Sequence, residues 1–162
     1  MIQIINATSK TDFDAVRELY YETWQAAYAG LLPASFLAHL TKARWHPETQ
    51  WRTLLLAVTE TGQIVGVCRY GKARLPKYSG WGELQSIYVL PAWQHQGVGA
   101  QLIRVSQARL AAEYDRAYLA VLDSNLSAQR FYQQIGFQLT ADVQHQQTPD
   151  GALTTVIMTT TF

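Results

Sequence analysis

The stretch WQHQGVGAQLI, Trp93–Ile103, sets two glycines, Gly97 and Gly99, one residue apart. A strand-like run, LQSIYVL (Leu84–Leu90), comes just before, and a run with helical spacing comes just after. Glycines at such a turn let successive backbone N–H groups converge on one point with no Cβ in the way. The N-terminal end of the following helix adds partial positive charge. Together they suit an anion, above all a phosphate or pyrophosphate. Two common phosphate loops do not fit. A P-loop needs Lys and Ser/Thr directly after its last glycine, whereas Gly99 is followed by Ala100, Gln101 and Leu102. A dinucleotide fingerprint needs a third glycine three residues beyond the second, and position 102 is Leu. What is left is Gln94-x-x-Gly97-x-Gly99 running into an amphipathic helix, with the N–H groups of residues 95–100 as the cradle. The plainer alternative is a strand-to-helix turn in which glycine serves only the backbone.

A second stretch, DSNLSAQRFYQQIGF (Asp123–Phe137), sets Asn125 just before a helix and Tyr132 seven residues on. That is about two turns, so the two side chains share a face. Asn125 can simply cap the helix, and Tyr132 can simply pack in a core. Glu83 begins the strand that leads to the glycines. Strand alternation places Glu83, Gln85, Ile87 and Val89 on one face, with a solvated edge residue as the alternative for Glu83. Trp24 and Tyr28 lie at the end of the first helix. His39, His46, His95 and His145 are scattered without metal-ligand spacing, so no metal is expected. No local motif assembles a Ser-His-Asp set. Cys68 is the only cysteine and lies in an apolar run, which reads as a small buried side chain. The bases of the Lys72–Lys77 loop, Lys72, Arg74 and Lys77, read as solvated.

The elements that must hold these residues follow from periodicity. A short strand, Ile2–Ile5, precedes a helix that starts with a capping-box-like Thr11 and Asp14 and ends near Gly30. Pro33 opens a second short helical piece. LLLAVTE and IVGVCRYG read as a hairpin around Thr61-Gly62, and Glu83–Leu90 as a strand ended by Pro91. A helix follows the glycines, then a strand at Tyr118–Leu122. The helix Leu126–Ile135 is stopped by Gly136. Two strands near Phe137–Val143 and Leu153–Thr160 flank a Pro149-Asp150-Gly151 turn. The order β-α-α-β-β-β-α-β-α-β-β predicts a single α/β domain over 1–162, a mixed sheet with helices on both faces. The length of 162 residues suits one domain, and 48% hydrophobic residues argue against disorder. A net charge of +1 with acids and bases interspersed is not the footprint of a nucleic-acid binder. With no apolar run long enough to span a bilayer, the chain reads as soluble and cytoplasmic, with no membrane partner.

Taken together, ELQSIYVLP, QHQGVGAQLI and NLSAQRFYQQIGF resemble the GNAT superfamily of N-acetyltransferases, and the order of elements extends the resemblance over the whole chain. The resemblance implies a mostly antiparallel sheet with a splayed strand pair, and acetyl-CoA as co-substrate. It assigns the pyrophosphate to the loop of Gln94, His95, Gln96, Gly97, Val98, Gly99 and Ala100, with His95 standing where the family often has a glycine or a base. It assigns pantetheine contacts to the backbone of Ile87, Tyr88 and Val89. Asn125 would contact the cofactor, and Tyr132 would sit near the sulfur. Trp24, Tyr28 and the last hairpin would shape the acceptor pocket. Some members place a base at a site comparable to Glu83. Others use a glutamate on the next strand, where Ala120 here cannot serve, so the base is Glu83, water, or none.

Acetyl transfer to an amine makes three demands. An alkyl ammonium with a pKa of about 10 must lose a proton. The carbonyl oxygen needs a donor as charge builds on it. The leaving thiolate must be stabilised. Free N–H groups near Val89 suit the second demand, and the Tyr132 phenol suits the third. The implied function is N-acetylation of a small-molecule or peptide amine by direct attack in a ternary complex. The rivals are transfer of another acyl group and a non-catalytic acyl-CoA-binding domain. A homodimer is compatible with everything above.

Overall fold

The computed structural model describes all 162 residues. The elements are β1 (Gln3–Asn6), α1 (Phe13–Ala27), α2 (Ala34–His39), β2 (Leu54–Val58), β3 (Ile64–Lys72), β4 (Gly82–Val89), α3 (Val98–Ala111), β5 (Arg116–Leu122), α4 (Leu126–Gln134), β6 (Gln138–Thr148) and β7 (Gly151–Thr161). This is the order expected from periodicity. Three short 3-10 turns between Lys42 and Thr53 carry too few residues to show a period.

Local chemistry sets the ends. The cap of α1 is Asp12, whose carboxylate accepts the Ala15 N–H at 3.1 Å. Thr11, expected as the cap, accepts the Thr8 N–H instead at 2.8 Å. β6 and β7 run longer than their apolar residues suggest and meet at a tight turn, with Thr148 opposite Gly151. Their exposed polar residues keep the ladder going because the cross-strand hydrogen bonds do not depend on side-chain hydropathy.

The sheet runs β1-β2-β3-β4-β5-β7-β6, and every neighbouring pair is antiparallel except β4–β5. That parallel pair is joined only at Gly82↔Ala117 and Glu83↔Tyr118, after which the strands part. A β-bulge accompanies the parting. Arg69 pairs with Ser86 while Tyr70 pairs with Leu84, so Gln85 is an extra residue in β4. A bulge bends its strand and breaks the two-residue alternation.

The helices cover both faces. On one, Val98, Leu102 and Ile103 of α3, joined by Phe131 of α4 and Ile135 just beyond it, pack on Leu55, Cys68 and Leu84. On the other, Val16, Leu19 and Tyr20 of α1 pack on Leu54, Leu56 and Val67. Truncating a fully buried member such as Leu102 to alanine costs about 2–5 kcal/mol. No helix is long and apolar enough to cross a membrane.

Candidate active site

The turn before α3 is held open by backbone conformation. His95 (φ 59°) and Gly97 (φ 82°) both lie in the left-handed region. Gly97 caps α3 with no side chain to bond the helix N–H groups. The first intrahelical bond runs from the Gln101 N–H to the Gly97 carbonyl at 3.0 Å, so the N–H groups of Val98, Gly99 and Ala100 stay free. A Cβ at Gly97 would meet nothing within 4 Å, so glycine is required there by its dihedral rather than by space. Gly99 is the reverse case. A Cβ there would come within 3.4 Å of Phe131 and within 4 Å of Val89 and Ile87, because the start of α3 is wedged between β4 and α4. The glutamine side chains of the loop turn back on the protein. Gln94 donates its amide to the Val89 carbonyl at 3.0 Å and Gln96 to the Ala92 carbonyl at 2.9 Å.

β4 leads into this cradle with half of its backbone unpaired. The Leu90 N–H donates to the Val65 carbonyl at 2.9 Å. Antiparallel pairing alternates, so Tyr88, opposite Val67, also turns its peptide groups to β3. Ile87 and Val89 therefore point theirs away, into the gap that opens beside β5. Of the three residues expected to offer backbone groups, Ile87 leaves its peptide groups unpaired, while Val89 leaves only its N–H, its carbonyl being taken by Gln94. Tyr88 spends its backbone on the sheet and contributes its side chain elsewhere.

Across the gap stands α4. Asn125 is its N-cap, accepting the Ala128 N–H at 3.2 Å, which is the plainer of its two readings. Tyr132 packs on Phe131 and Phe137 with ring centroids 5.6 and 6.2 Å away. Burial, and then the neighbouring Tyr28 and Cys68, push its phenol well above the ordinary value of about 10. The group is thus a proton donor at neutral pH.

The opposite face of β4 carries an aromatic wall. Trp24 lies 4.8 Å from Tyr28 and 6.3 Å from both Phe36 and Tyr88, measured between ring centroids. The Tyr28 and Tyr88 hydroxyls are 3.5 Å apart. Burial raises both phenols, that of Tyr88 strongly, with Tyr28 adding to it. The Trp24 indole N–H is enclosed without an acceptor. Beside this wall, a cleft of about 260 Å³ runs between α2 and the β6–β7 tip, lined by Phe36, His39, Arg44, Thr148, Asp150 and Leu153 among others. His39 Nδ1 sits 3.2 Å from Asp150 there.

Glu83 departs from its expected place. The bulge at Gln85 puts it on a different face from Ile87 and Val89, which look toward Gly99. It is buried, and its carboxylate is saturated. Oε2 accepts Arg74 Nη2 at 2.6 Å and Nε at 3.1 Å, while Oε1 accepts the Tyr118 hydroxyl at 2.6 Å and the Arg74 N–H at 2.9 Å. Burial and then this hydrogen bond raise the Tyr118 phenol to about 12. A carboxylate held this way ties the Lys72–Gly80 loop to β4 and β5 and has no free lone pair for an incoming proton. The expectation of Glu83 as general base is corrected on that ground. Arg74, read as solvated, is its partner. Sequence reasoning also passed over Arg69 and the Tyr88 side chain. A lone arginine inside the apolar run IVGVCRYG was the available signal for Arg69.

The acetyltransferase (GNAT) family model matches residues 13–137. The chain belongs to that family. It is 26% identical over 126 residues to the uncharacterized N-acetyltransferase YuaI of Bacillus subtilis, covering 75% of this chain and 72% of that one. It is 29% identical over 89 residues to the spermine/spermidine N(1)-acetyltransferase of the same organism, covering 51% of this chain and 57% of that protein. The fold matches the PaiA N-acetyltransferase of Thermoplasma acidophilum, solved in complex with coenzyme A, with a TM-score of 0.76 at 17% identity over 100% of this chain and 99% of the other.

Proposed function

We propose that the chain, as one domain over residues 1–162, transfers the acetyl group of acetyl-CoA to a primary amine while both are bound. The observation that carries this reading is the junction of two backbone features. The free peptide groups of Ile87 and the free N–H of Val89 in the β4–β5 gap run directly into the free N–H groups of Val98, Gly99 and Ala100. The second set fits a pyrophosphate in charge and shape, and the first offers an extended amide chain a strand edge to pair with. Coenzyme A has those two parts in that order.

The amine nitrogen forms an amide bond to the acetyl carbon, the thioester C–S bond breaks, and the sulfur ends with one proton. The residues divide this work. The Val89 N–H donates to the carbonyl oxygen as charge builds on it. Tyr132, protonated at neutral pH, donates to the departing sulfur and recovers its proton from the second one that the nitrogen sheds as the amide forms. With Glu83 occupied, the ammonium loses its proton to water. Trp24, Tyr28 and Tyr88 bound the acceptor side. Cys68 takes no covalent part, since burial holds its thiol up at about 12.

The test is thiol release from acetyl-CoA across a panel of amines, run beside a thermal-shift titration. A ligand that binds only the folded state raises its melting temperature. A rise in Tm with amine-dependent thiol release supports the proposal. A rise in Tm without release from any amine supports a non-catalytic acyl-CoA-binding domain.

A further inference from the structure

Arg69 is the one arginine on the aromatic face of the sheet that has a buried nitrogen and no partner. It is partly buried, its Nε is enclosed, and no hydrogen bond or ion pair in the protein engages its guanidinium. An unsatisfied buried donor of this kind is uncommon and calls for an acceptor from outside the chain. The nearby carboxylate is occupied. Glu83, the carboxylate that acts on Arg69, is bound by Arg74 and Tyr118. Arg74 is itself a cation, and both burial and its proximity disfavour the charge on Arg69. Glu83 offsets these effects only in part, so the Arg69 charge stays disfavoured overall. Arg44 adds a second cation, with its guanidinium over the Trp24 and Phe36 rings at 5.3 and 5.5 Å and no carboxylate partner.

The position matters as much as the charge. Arg69 is paired with Ser86, two residues along β4 from Tyr88, or about 7 Å of strand. Tyr88 packs on Trp24 and Tyr20, and Tyr28 joins them. A group held by Arg69 thus lies on the aromatic side of β4, a few bonds' length from the point where an amine would meet the β4–β5 gap.

We propose that Arg69 binds an acidic group of the acceptor, so that the amine acetylated is a small molecule that also carries a carboxylate, an amino acid or a close analogue. This deepens the acetyl-transfer reading and rests on it. The bond changes are those given above, and the carboxylate stays ionised throughout. A polyamine is the opposite case. It would bring two or more cations to a wall whose unpaired charges are Arg44 and Arg69 and whose Glu83 carboxylate is already bound by Arg74.

The experiment compares matched amines. The common amino acids are assayed for thiol release from acetyl-CoA beside their decarboxylated counterparts and spermidine, with parent, Arg69→Gln and Arg69→Lys proteins. The parent is expected to use at least one carboxylate-bearing amine with a kcat/KM about 10-fold or more above that of its decarboxylated partner. Arg69→Gln should raise the KM for that acceptor by about 10-fold or more and erase the preference, leaving the acetyl-CoA KM and its thermal shift unchanged. Arg69→Lys, which keeps the charge but loses the fork, should recover part of the preference. Equal or better use of the decarboxylated amines or spermidine overturns the proposal. So does an unchanged acceptor KM in Arg69→Gln. No transfer to either set, by a protein that acetyl-CoA still stabilises, also counts against an acidic acceptor. Failure of acetyl-CoA to stabilise the parent protein would instead sink the acetyl-transfer reading beneath it.

Discussion

The two faces of β4 are built from different materials. On the α3 side the candidate site is main chain: peptide groups left over where two strands part, and free N–H groups at a helix start that two glycines permit. On the α1 side it is all side chains: Trp24, Tyr28 and Tyr88 as a wall, with Arg44 and Arg69 among them. A backbone site recognises features that every acyl-CoA shares, such as phosphate charge and amide pairing. A side-chain site recognises what differs between acceptors. The first tolerates almost no change of conformation. The second can be retuned one residue at a time without disturbing the fold.

That contrast predicts the largest effect at the glycines. Gly97→Val forces a β-branched residue into φ 82°, and Gly99→Val drives methyl groups toward Phe131, Val89 and Ile87. Each should abolish the acetyl-CoA thermal shift while the protein remains folded by circular dichroism. If either binds acetyl-CoA as well as the parent, the α3 side is not a backbone site.

Tyr132→Phe comes next. It keeps the ring and its packing and removes the hydroxyl proposed as donor to the departing sulfur, an interaction made in the transition state. A fall in kcat of roughly 10–10³-fold is expected, with the acetyl-CoA KM little changed. The defect should persist at high pH, because free amine does not replace a donor to sulfur. Full activity at neutral pH would make Tyr132 a packing residue.

Tyr28→Ala should move the acceptor KM by about 10-fold and spare that of acetyl-CoA, since its ring packs on Trp24 and its hydroxyl lies beside that of Tyr88. A change confined to the acetyl-CoA KM would erase the distinction between the faces.

Glu83→Gln separates structure from chemistry. It breaks a hydrogen-bonded pair that is buried on one side and half exposed on the other. A loss of about 1–3 kcal/mol in stability is expected, read from denaturant unfolding. The shape of the pH–rate profile should be unaltered. A profile that loses its acidic limb would restore Glu83 as the base.

The smallest effect concerns the scaffold of the acceptor side. Asp142 accepts the Tyr78 hydroxyl at 2.6 Å and pairs with Lys77 at 3.0 Å, and these partners hold its carboxyl below the ordinary value. A depressed carboxylate contributes stability above its unfolded pKa of about 4 and loses it as pH falls through the lower folded value. Asp142→Asn should therefore lower Tm slightly at pH 7, and the difference should vanish in acid. A gap that stays constant with pH would mean that packing, not charge, ties this loop to β6.

What the residues alone determined were the backbone features. Gly97 and Gly99 mark the turn because no other residue takes those dihedrals or that close approach without cost. The helices and strands were legible because burial imposes periods of 3.6 and 2 on apolar residues. The tertiary structure alone decided the rest. The fate of Glu83 depended on an extra residue at Gln85, which reverses the face of everything before it and leaves no mark on composition. Its partners come from a loop and from β5, brought beside it only by strand pairing. Arg69 read as one charge in an apolar strand. That it has no acceptor is a property of the whole neighbourhood, because a side chain is unpartnered only with respect to every chain segment folded around it.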